Sequence, residues 1–230
     1  IHLLNGWLVY RLSQHYYVRH GGLPATLPLF VALLFVLHPA HSEAVSYISG
    51  RSASLMTLCY LAGLLAYTHG RQHASALHRH LFTPLCFLAA LLCKETAITF
   101  PFALLLWERY ALAEQRNSFK AQWTSWALLL AAVLLFLFST AYQTHMARSA
   151  HFNTLGGNLA TQANGMLWLL RQWTLPLWLN IDPDLPLYRH IYDAPWALLG
   201  TLALIGAVWW LRQHRPWWSF ALSWAMLQLL

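Results

Sequence analysis

Charged residues are scarce in this sequence. Asp, Glu, Lys and Arg together make up 9% of the 230 residues, whereas about a quarter of an ordinary soluble domain is charged. So few charges cannot cover the surface of a soluble protein. What is abundant instead favours a membrane: 58% of the residues are hydrophobic, and the 13 tryptophans and 10 tyrosines are typical of side chains at lipid interfaces. We therefore predict an all-α, polytopic integral membrane protein.

Acidic residues and cysteines are the rarest groups that carry chemistry. The sequence contains seven acidic residues and 14 Lys and Arg, which gives a formal net charge of +7. The basic residues lie between apolar runs, as the positive-inside rule describes, so we expect membrane lipids and no nucleic acid as partners. Cys59, Cys86 and Cys93 lie in apolar runs without metal-type spacing, and we interpret them as buried hydrophobic residues.

Nine apolar runs follow one another, at 1–17, 24–41, 52–68, 81–93, 97–112, 123–142, 161–179, 194–211 and 217–230. A spanning helix needs about 20 apolar residues, so we expect a single transmembrane domain over 1–230 with about eight spanning helices. The chain starts at Ile1 and ends within an apolar run, and we expect it to be a fragment of a longer protein.

The charges sort the connecting segments into two sets. The first holds nine Lys and Arg against two acids, in RLSQHYYVRHGG, HGRQHASALHRH, ERYALAEQRNSFK and RQHR. The positive-inside rule predicts that this set is cytoplasmic. The second set holds five basic and five acidic residues and is predicted to be periplasmic or lumenal.

This sidedness constrains two of the apolar runs. The run 81–112 must cross the membrane twice, so we predict a tight helical hairpin with Lys94 and Glu95 near its outer tip. The run 161–179 then cannot cross fully, and we predict a half-inserted or interfacial helix on the outer side. A full crossing of 161–179 stays open as the alternative.

Polar groups at membrane depth are costly and usually face a cavity, a partner or a functional site. The stretch LHPAHSEAVSYISGR, residues 37–51, contains His38, His41, Glu43 and Arg51. If residues 40–51 form one helix, Glu43, Tyr47 and Arg51 share a face and line an outward-facing cavity. The alternative is an ion pair between Glu43 and Arg51 that holds two helices in register. The spacing differs from that of zinc proteases, and we assign no metal ligand.

Two further polar clusters belong to the outer set. Lys94 and Glu95 either present an ammonium to a lipid phosphate or form a mutually satisfied pair. The segment NIDPDLPLYRHIYD, residues 180–193, carries Asp182, Asp184 and Arg189. Its alternating Pro and Asp predict an ordered non-helical loop, which either binds an acceptor or an ion or is simply solvated.

Three segments resemble one family of multi-spanning proteins. They are LHPAHSEAVSYISGRSASLMTLCYLAGLLAY, LLCKETAITFPFALLLWE and TQANGMLWLLRQWTLPLWLNIDPDLPLYRHIYDAP. In this order they resemble the membrane part of the O-mannosyltransferases that carry tetratricopeptide repeats after their membrane region, and the bacterial relatives of these enzymes.

The resemblance implies a C-type glycosyltransferase fold and a polyprenyl- or dolichyl-phosphate sugar, with mannose expected, as the donor. Transfer to a protein or glycan hydroxyl would occur on the outer face with inversion, and an acidic residue upstream of Ile1 would act as the base. The catalytic residue and the repeats would then lie outside this chain, which we expect to be inactive alone. Arg51, Lys94 and Arg189 would contact phosphate.

The remaining site residues have other implied roles. His38, His41 and Glu43 would shape the cavity, Asp182 and Asp184 would contact the acceptor, and Glu95 would be a further substrate-binding residue. No cofactor is certain, and a requirement for a divalent cation stays open. A membrane transporter or flippase, and a non-catalytic anchor for tetratricopeptide repeats, are the alternative functions. The compact connectors favour the bacterial inner membrane over the endoplasmic reticulum.

Overall fold

Every regular element in the described part of the chain is helical, which confirms the all-α prediction. The computed structural model describes residues 1–20, 24–48, 50–112, 118–138, 154–176 and 184–229. The chain divides into two units, Ile1–Leu130 and Ala131–Leu230.

The described residues of the first unit form α1 (His2–His20), α2 (Leu27–Leu37), α3 (Ser42–Ser46), α4 (Arg51–Gln72), α5 (Thr83–Cys93), α6 (Phe100–Trp107), α7 (Ser118–Ala121) and the start of α8 (Trp123–Phe138). The second unit contains the rest of α8 with α9 (Leu155–Thr174), α10 (Pro195–His214) and α11 (Pro216–Leu229). Short 3₁₀ turns occupy Pro39–His41, Glu95–Thr99 and Ile191–Asp193, and π-helical turns occupy His78–Phe82 and Glu108–Leu112. Helices α2, α5, α6 and α10 begin with proline in the first turn, where its missing N–H leaves no helical hydrogen bond unmade.

Helix α4 forms the centre of the first unit, and α1 and α5 pack against it. Its side chains Leu64 and Tyr67 are completely buried. The Phe100 ring stacks on Phe87 at 5.1 Å and meets Tyr60 edge-on at 5.0 Å. The absence of a side chain at Gly63 is required here, because a Cβ would lie 2.8 Å from the Phe100 ring. The small residue therefore allows α4 to approach the neighbouring aromatic core.

Two buried polar residues tie the amino-terminal ends of α1 and α4 together. The Asn5 side-chain amide donates to the Ser54 backbone oxygen at 2.9 Å, and the Ser54 hydroxyl donates to the Ala44 backbone oxygen at 2.8 Å. Both bonds satisfy groups that would be costly to bury unpaired. They fix α1, α3 and α4 at the end of the unit that carries residues 38–51.

The second unit is built on small residues. Ala160 and Ala163 of α9 form a buried cluster with Ala194 and Ala197 at the start of α10, and α11 packs back along α10. The segment 184–193 lies against the start of α9, where the Tyr188 N–H donates to the Thr161 hydroxyl at 3.0 Å. The Thr154 hydroxyl also donates to the Arg189 backbone oxygen.

One helix of the described part, Pro195–His214, is long and apolar enough to cross a membrane. Only 6% of its apolar window is buried, unlike a core helix of a soluble protein. A second candidate span is a bent helix pair, Leu27–Leu37 with Pro39–Ser46, whose axes differ by 48°. It counts as a span only if the two helices cross the membrane together. About eight spanning helices were expected from the sequence, and this criterion does not confirm that number.

The two constrained runs have different outcomes. The run 81–112 is interrupted as predicted: Lys94 is extended, with φ −160° and ψ 137°, between α5 and the turn Glu95–Thr99. Helix α5 packs mainly along α4, so this segment is not an isolated hairpin. The run 161–179 begins earlier than expected, as α9 from Leu155, and α9 is not among the helices apolar enough to span. A half-inserted α9 stays a prediction.

Replacing Gly157 with alanine is expected to loosen the segment 184–193. A Cβ at this position would lie 2.6 Å from the Arg189 backbone oxygen and closer still to that of Tyr188. Backbone atoms cannot rotate away as a side chain does. We therefore expect the free energy of unfolding to fall by about 1–3 kcal/mol and protease cleavage within 184–193 to become faster. Gly206→Ala is the matched control, because nothing lies within 4 Å of its Cβ. That change should stabilise the helix by about 0.5–1 kcal/mol, and equal cleavage of both variants would contradict the close packing.

Candidate functional site

Three histidines gather where α1 begins and α2 ends. The His41 ring centroid lies 4.5 Å from that of Phe35, 5.4 Å from that of His2 and 6.2 Å from that of His38. His38 is held by its own turn, since its Nδ1 accepts the Ala40 N–H at 3.2 Å. The sequence analysis assigned both His38 and His41 to the wall of a cavity, and the structure places their rings side by side. His2, whose Nε2 lies 3.0 Å from the Val36 backbone oxygen, was missed, because nothing in the pattern marks a residue 36 positions upstream.

Residues 40–51 do not form the single helix on which the shared face of Glu43, Tyr47 and Arg51 depended. Helix α3 ends at Ser46, and α4 starts only at Arg51 after Gly50. The condition for the shared face is therefore not met. Arg51 is exposed at the first position of α4, and the Glu43 side chain lies outside the described part of the structure.

Lys94 is half-buried at the break after α5, whereas Glu95 is exposed. Among the described residues, Arg71 and Glu108 form an ion pair, and neither Lys94 nor Glu95 forms one. The mutually satisfied pair that was the alternative for these residues is therefore not seen. A half-buried lysine that forms no ion pair with a described residue is suited to binding an anion, because a charge that loses solvent is costly unless it is paired.

Helix α5 runs antiparallel to α4, so its carboxyl end lies beside the amino-terminal half of α4. The Tyr60 and Thr99 hydroxyl oxygens lie 3.2 Å apart, which places the turn Glu95–Thr99 beside Tyr60. Tyr60 comes nine positions after Arg51 on α4, a rise of roughly 14 Å. Lys94, Arg51 and the histidines thus lie in the half of the first unit that contains the amino end of α4. The cysteines are half-buried, less enclosed than the sequence predicted.

In the second unit, Asp184 and Arg189 have exposed side chains, and Asp182 lies outside the described residues. The carboxylate of Asp193 accepts the N–H groups of Arg189 at 3.1 Å and His190 at 2.9 Å. This makes Asp193 a structural residue of the loop and directs the Arg189 side chain to the surface. The ordered non-helical segment predicted from the Pro and Asp pattern is present over 184–190.

The opposite end of the first unit carries a buried polar cluster that the sequence analysis missed. Glu108, assigned to a cytoplasmic connector, is 1% exposed, and its Oε1 lies 2.8 Å from an Arg71 guanidinium nitrogen. The amide of the buried Gln122 donates to Glu108 Oε2 at 3.0 Å. The indole N–H of Trp107 donates to the Thr68 hydroxyl at 2.8 Å. A signal was available in the sequence: Glu108 is the one acidic residue within the apolar run 97–112.

A cavity of about 830 Å³ lies beside this cluster. Arg11, His15, Arg71 and Gln72 are among its lining residues, and none of the predicted substrate-binding residues is. Arg11 and Arg71, two basic residues of the predicted cytoplasmic set, therefore lie together at this cavity, and Arg71, near the carboxyl end of α4, lies far along that helix from Arg51. The sidedness inferred from charge stays a prediction. Among the described residues, no three His, Cys, Asp or Glu side chains are placed to hold a metal ion.

In its described part the chain is helical throughout its regular elements, and one of its helices is long and apolar enough to cross a membrane. Comparison with curated proteins is more specific. The chain is 40% identical over 111 residues to the protein O-mannosyl-transferase Tmtc1 of Drosophila melanogaster, covering 46% of this chain and 11% of that protein. It is 32% identical over 97 residues to Tmtc3 of the same organism, covering 40% of this chain and 10% of that protein.

The human protein O-mannosyl-transferase TMTC3 is 37% identical over 76 residues, 31% of this chain and 8% of that protein. These similarities confirm the resemblance to O-mannosyltransferases inferred from the sequence. The matched stretches span about a tenth of the relatives' length. No family model matches the chain, and no solved structure matches it.

Proposed function

We propose that this chain is part of a multi-pass membrane glycosyltransferase that transfers a sugar, mannose by its relatives' names, to a protein hydroxyl. The donor is a polyprenyl- or dolichyl-phosphate sugar, and transfer takes place on the outer face. The observation that carries this proposal is Lys94: a half-buried lysine residue, without an ion-pair partner among the described residues, in the same half of the first unit as Arg51.

The geometry suits stabilisation of a departing lipid phosphate. When the acceptor oxygen attacks the anomeric carbon, the bond to the phosphate oxygen breaks and negative charge accumulates on the leaving group. An ammonium that is already in place stabilises this charge without reorganisation. Lys94 is the group we assign to this role, and Arg51, which is exposed, contacts the phosphate from the solvent side. His38 and His41 shape the wall beside them, with Glu43 and Glu95 proposed as further wall residues.

The loop 184–193 is proposed to bind the acceptor. Its carboxylate Asp184 is exposed, and Asp193 holds the backbone beside it in a fixed turn. Asp182 is proposed for the same role and Arg189 for a phosphate contact. The base that takes the acceptor's proton is not assigned to a residue of this chain.

The direct test reconstitutes the full-length protein into liposomes with polyprenyl-phosphate mannose and an acceptor protein rich in serine and threonine. We expect mannose to become covalently linked to hydroxyl side chains, detected by mass spectrometry of the acceptor. Movement of the lipid-linked sugar between leaflets without any transfer would favour a flippase and contradict the enzyme. The absence of both activities would favour the anchor.

A further inference from the structure

The turn between α10 and α11 has an unusual surface. Residues 209–218 read WWLRQHRPWW, and all four tryptophans are exposed: Trp209 by 69%, Trp210 by 60%, Trp217 by 40% and Trp218 by 53%. Single exposed hydrophobic side chains are ordinary, but a contiguous group of large rings marks an interaction surface. We therefore interpret this turn as an interaction surface.

The rings and the cations of the turn are held in place. The Arg215 N–H donates to the Leu211 backbone oxygen at 2.7 Å, and the Ser219 hydroxyl donates to the Val208 backbone oxygen at 3.0 Å. Trp217 stacks on Trp218 at 4.4 Å, and the Arg212 guanidinium lies 5.7 Å from the Trp209 ring centre. The surface is thus preorganised, so that binding does not require ordering of these side chains.

The charge of the turn identifies the chemistry of its partner. Arg212 and Arg215 flank His214, and the sequence contains no acidic residue after Asp193. The positive charge is therefore not neutralised within its own segment. Tryptophan rings reside at the headgroup level of membranes, and basic residues beside the membrane surface are attracted to anionic lipids.

The helix that leads to the turn fits a membrane of ordinary thickness. Its 20 residues rise about 30 Å, the thickness of a hydrocarbon core. Exposed rings occur at its other end too, where Tyr192 and Trp196 are 71% and 57% exposed. That end carries Asp193 and lacks the pair of arginines. The two ends of α10 therefore differ in charge, as the two surfaces of a membrane do when anionic lipids are concentrated in one leaflet.

We propose that the turn 209–218 is a binding site for anionic phospholipid headgroups. The four indoles lie in the interface, and Arg212 and Arg215 contact the lipid phosphates. The positive-inside rule assigns the turn to the cytoplasmic leaflet. The inference depends on the membrane location of α10 and is independent of the transfer reaction.

The test places the full-length protein in bilayers of equal phosphatidylcholine and phosphatidylglycerol, with one of the two lipids brominated at a time. Bromine quenches nearby tryptophans, and we expect brominated phosphatidylglycerol to quench more. The double variant Arg212→Gln and Arg215→Gln should lose this preference, with the relative affinity for phosphatidylglycerol falling about five-fold per arginine. Arg171→Gln, which removes an exposed arginine of α9, is the matched control and should leave the preference unchanged.

A second variant separates lipid from protein as the partner. Trp217→Phe with Trp218→Phe should remove part of the lipid-selective quenching while circular dichroism shows the same helix content. Equal quenching by both brominated lipids in the wild type would overturn the proposal. So would a preference that survives loss of both arginines, or selective quenching that is unaffected by the two Trp changes, which would place the turn against protein. Mannosyl transfer, measured on the same samples, reports separately on the proposed function.

Discussion

Replacing Lys94 with alanine in the full-length protein is expected to lower kcat for mannosyl transfer by about 10² to 10³, the usual effect of removing one preorganised group that stabilises developing charge. KM for the lipid-linked donor should change less, because the charge on the leaving phosphate is largest in the transition state. Lys94→Arg should recover part of the rate, since it keeps the charge but presents it on a larger planar group.

The sequence offers a closely matched control for this experiment. Lys120, on α7, is the chain's one other lysine, and it is exposed. Lys120→Ala should leave kcat within about two-fold, since an exposed charge away from the site is screened by salt. Steady-state transfer assays in liposomes measure both variants. A Lys94→Ala enzyme as fast as the Lys120→Ala enzyme would refute the role of Lys94, and a rise in KM alone would confine Lys94 to binding the donor ground state.

Two features of the proposed site follow from local sequence pattern. Lys94 was identified because a charged residue interrupts an apolar run, and the structure shows the helix ending there. His38 and His41 were identified because they are three residues apart across a proline, and their rings are neighbours. Each of these features is determined within a few residues of chain, which is the range over which helix ends and turns are specified.

Features that depend on how distant helices pack were not predictable. His2 joins His41 only because α1 packs against α2, and periodicity carries no information on that pairing. One local expectation was also wrong. Residues 40–51 do not form one helix, because the chain leaves helical geometry after Ser46 and α4 begins only after Gly50. The burial of Glu108 was missed because its neighbours in sequence, Arg109 and Tyr110, are typical of a connector, while its partners Arg71 and Gln122 come from other elements.

Replacing Glu108 with alanine is expected to destabilise the first unit by about 3–5 kcal/mol, because it leaves the Arg71 guanidinium buried without its carboxylate. Arg71 is only 9% exposed in its side chain, so water cannot readily take the place of the carboxylate. The Gln122 amide would lose its acceptor at the same time. For a chain of this length the change corresponds to a fall in Tm of about 10 °C.

Two comparisons distinguish loss of the buried pair from a general effect of mutation. Glu95→Ala removes an exposed acid that forms no ion pair among the described residues, and it should change stability by less than about 0.5 kcal/mol. Arg71→Met combined with Glu108→Leu removes both charges and should regain most of the loss, since apolar groups of similar volume replace buried ion pairs at little cost. Thermal unfolding in detergent measures all three variants. If the double variant were as unstable as Glu108→Ala, the loss would come from packing around residue 108, and the uncompensated charge on Arg71 would not be its cause.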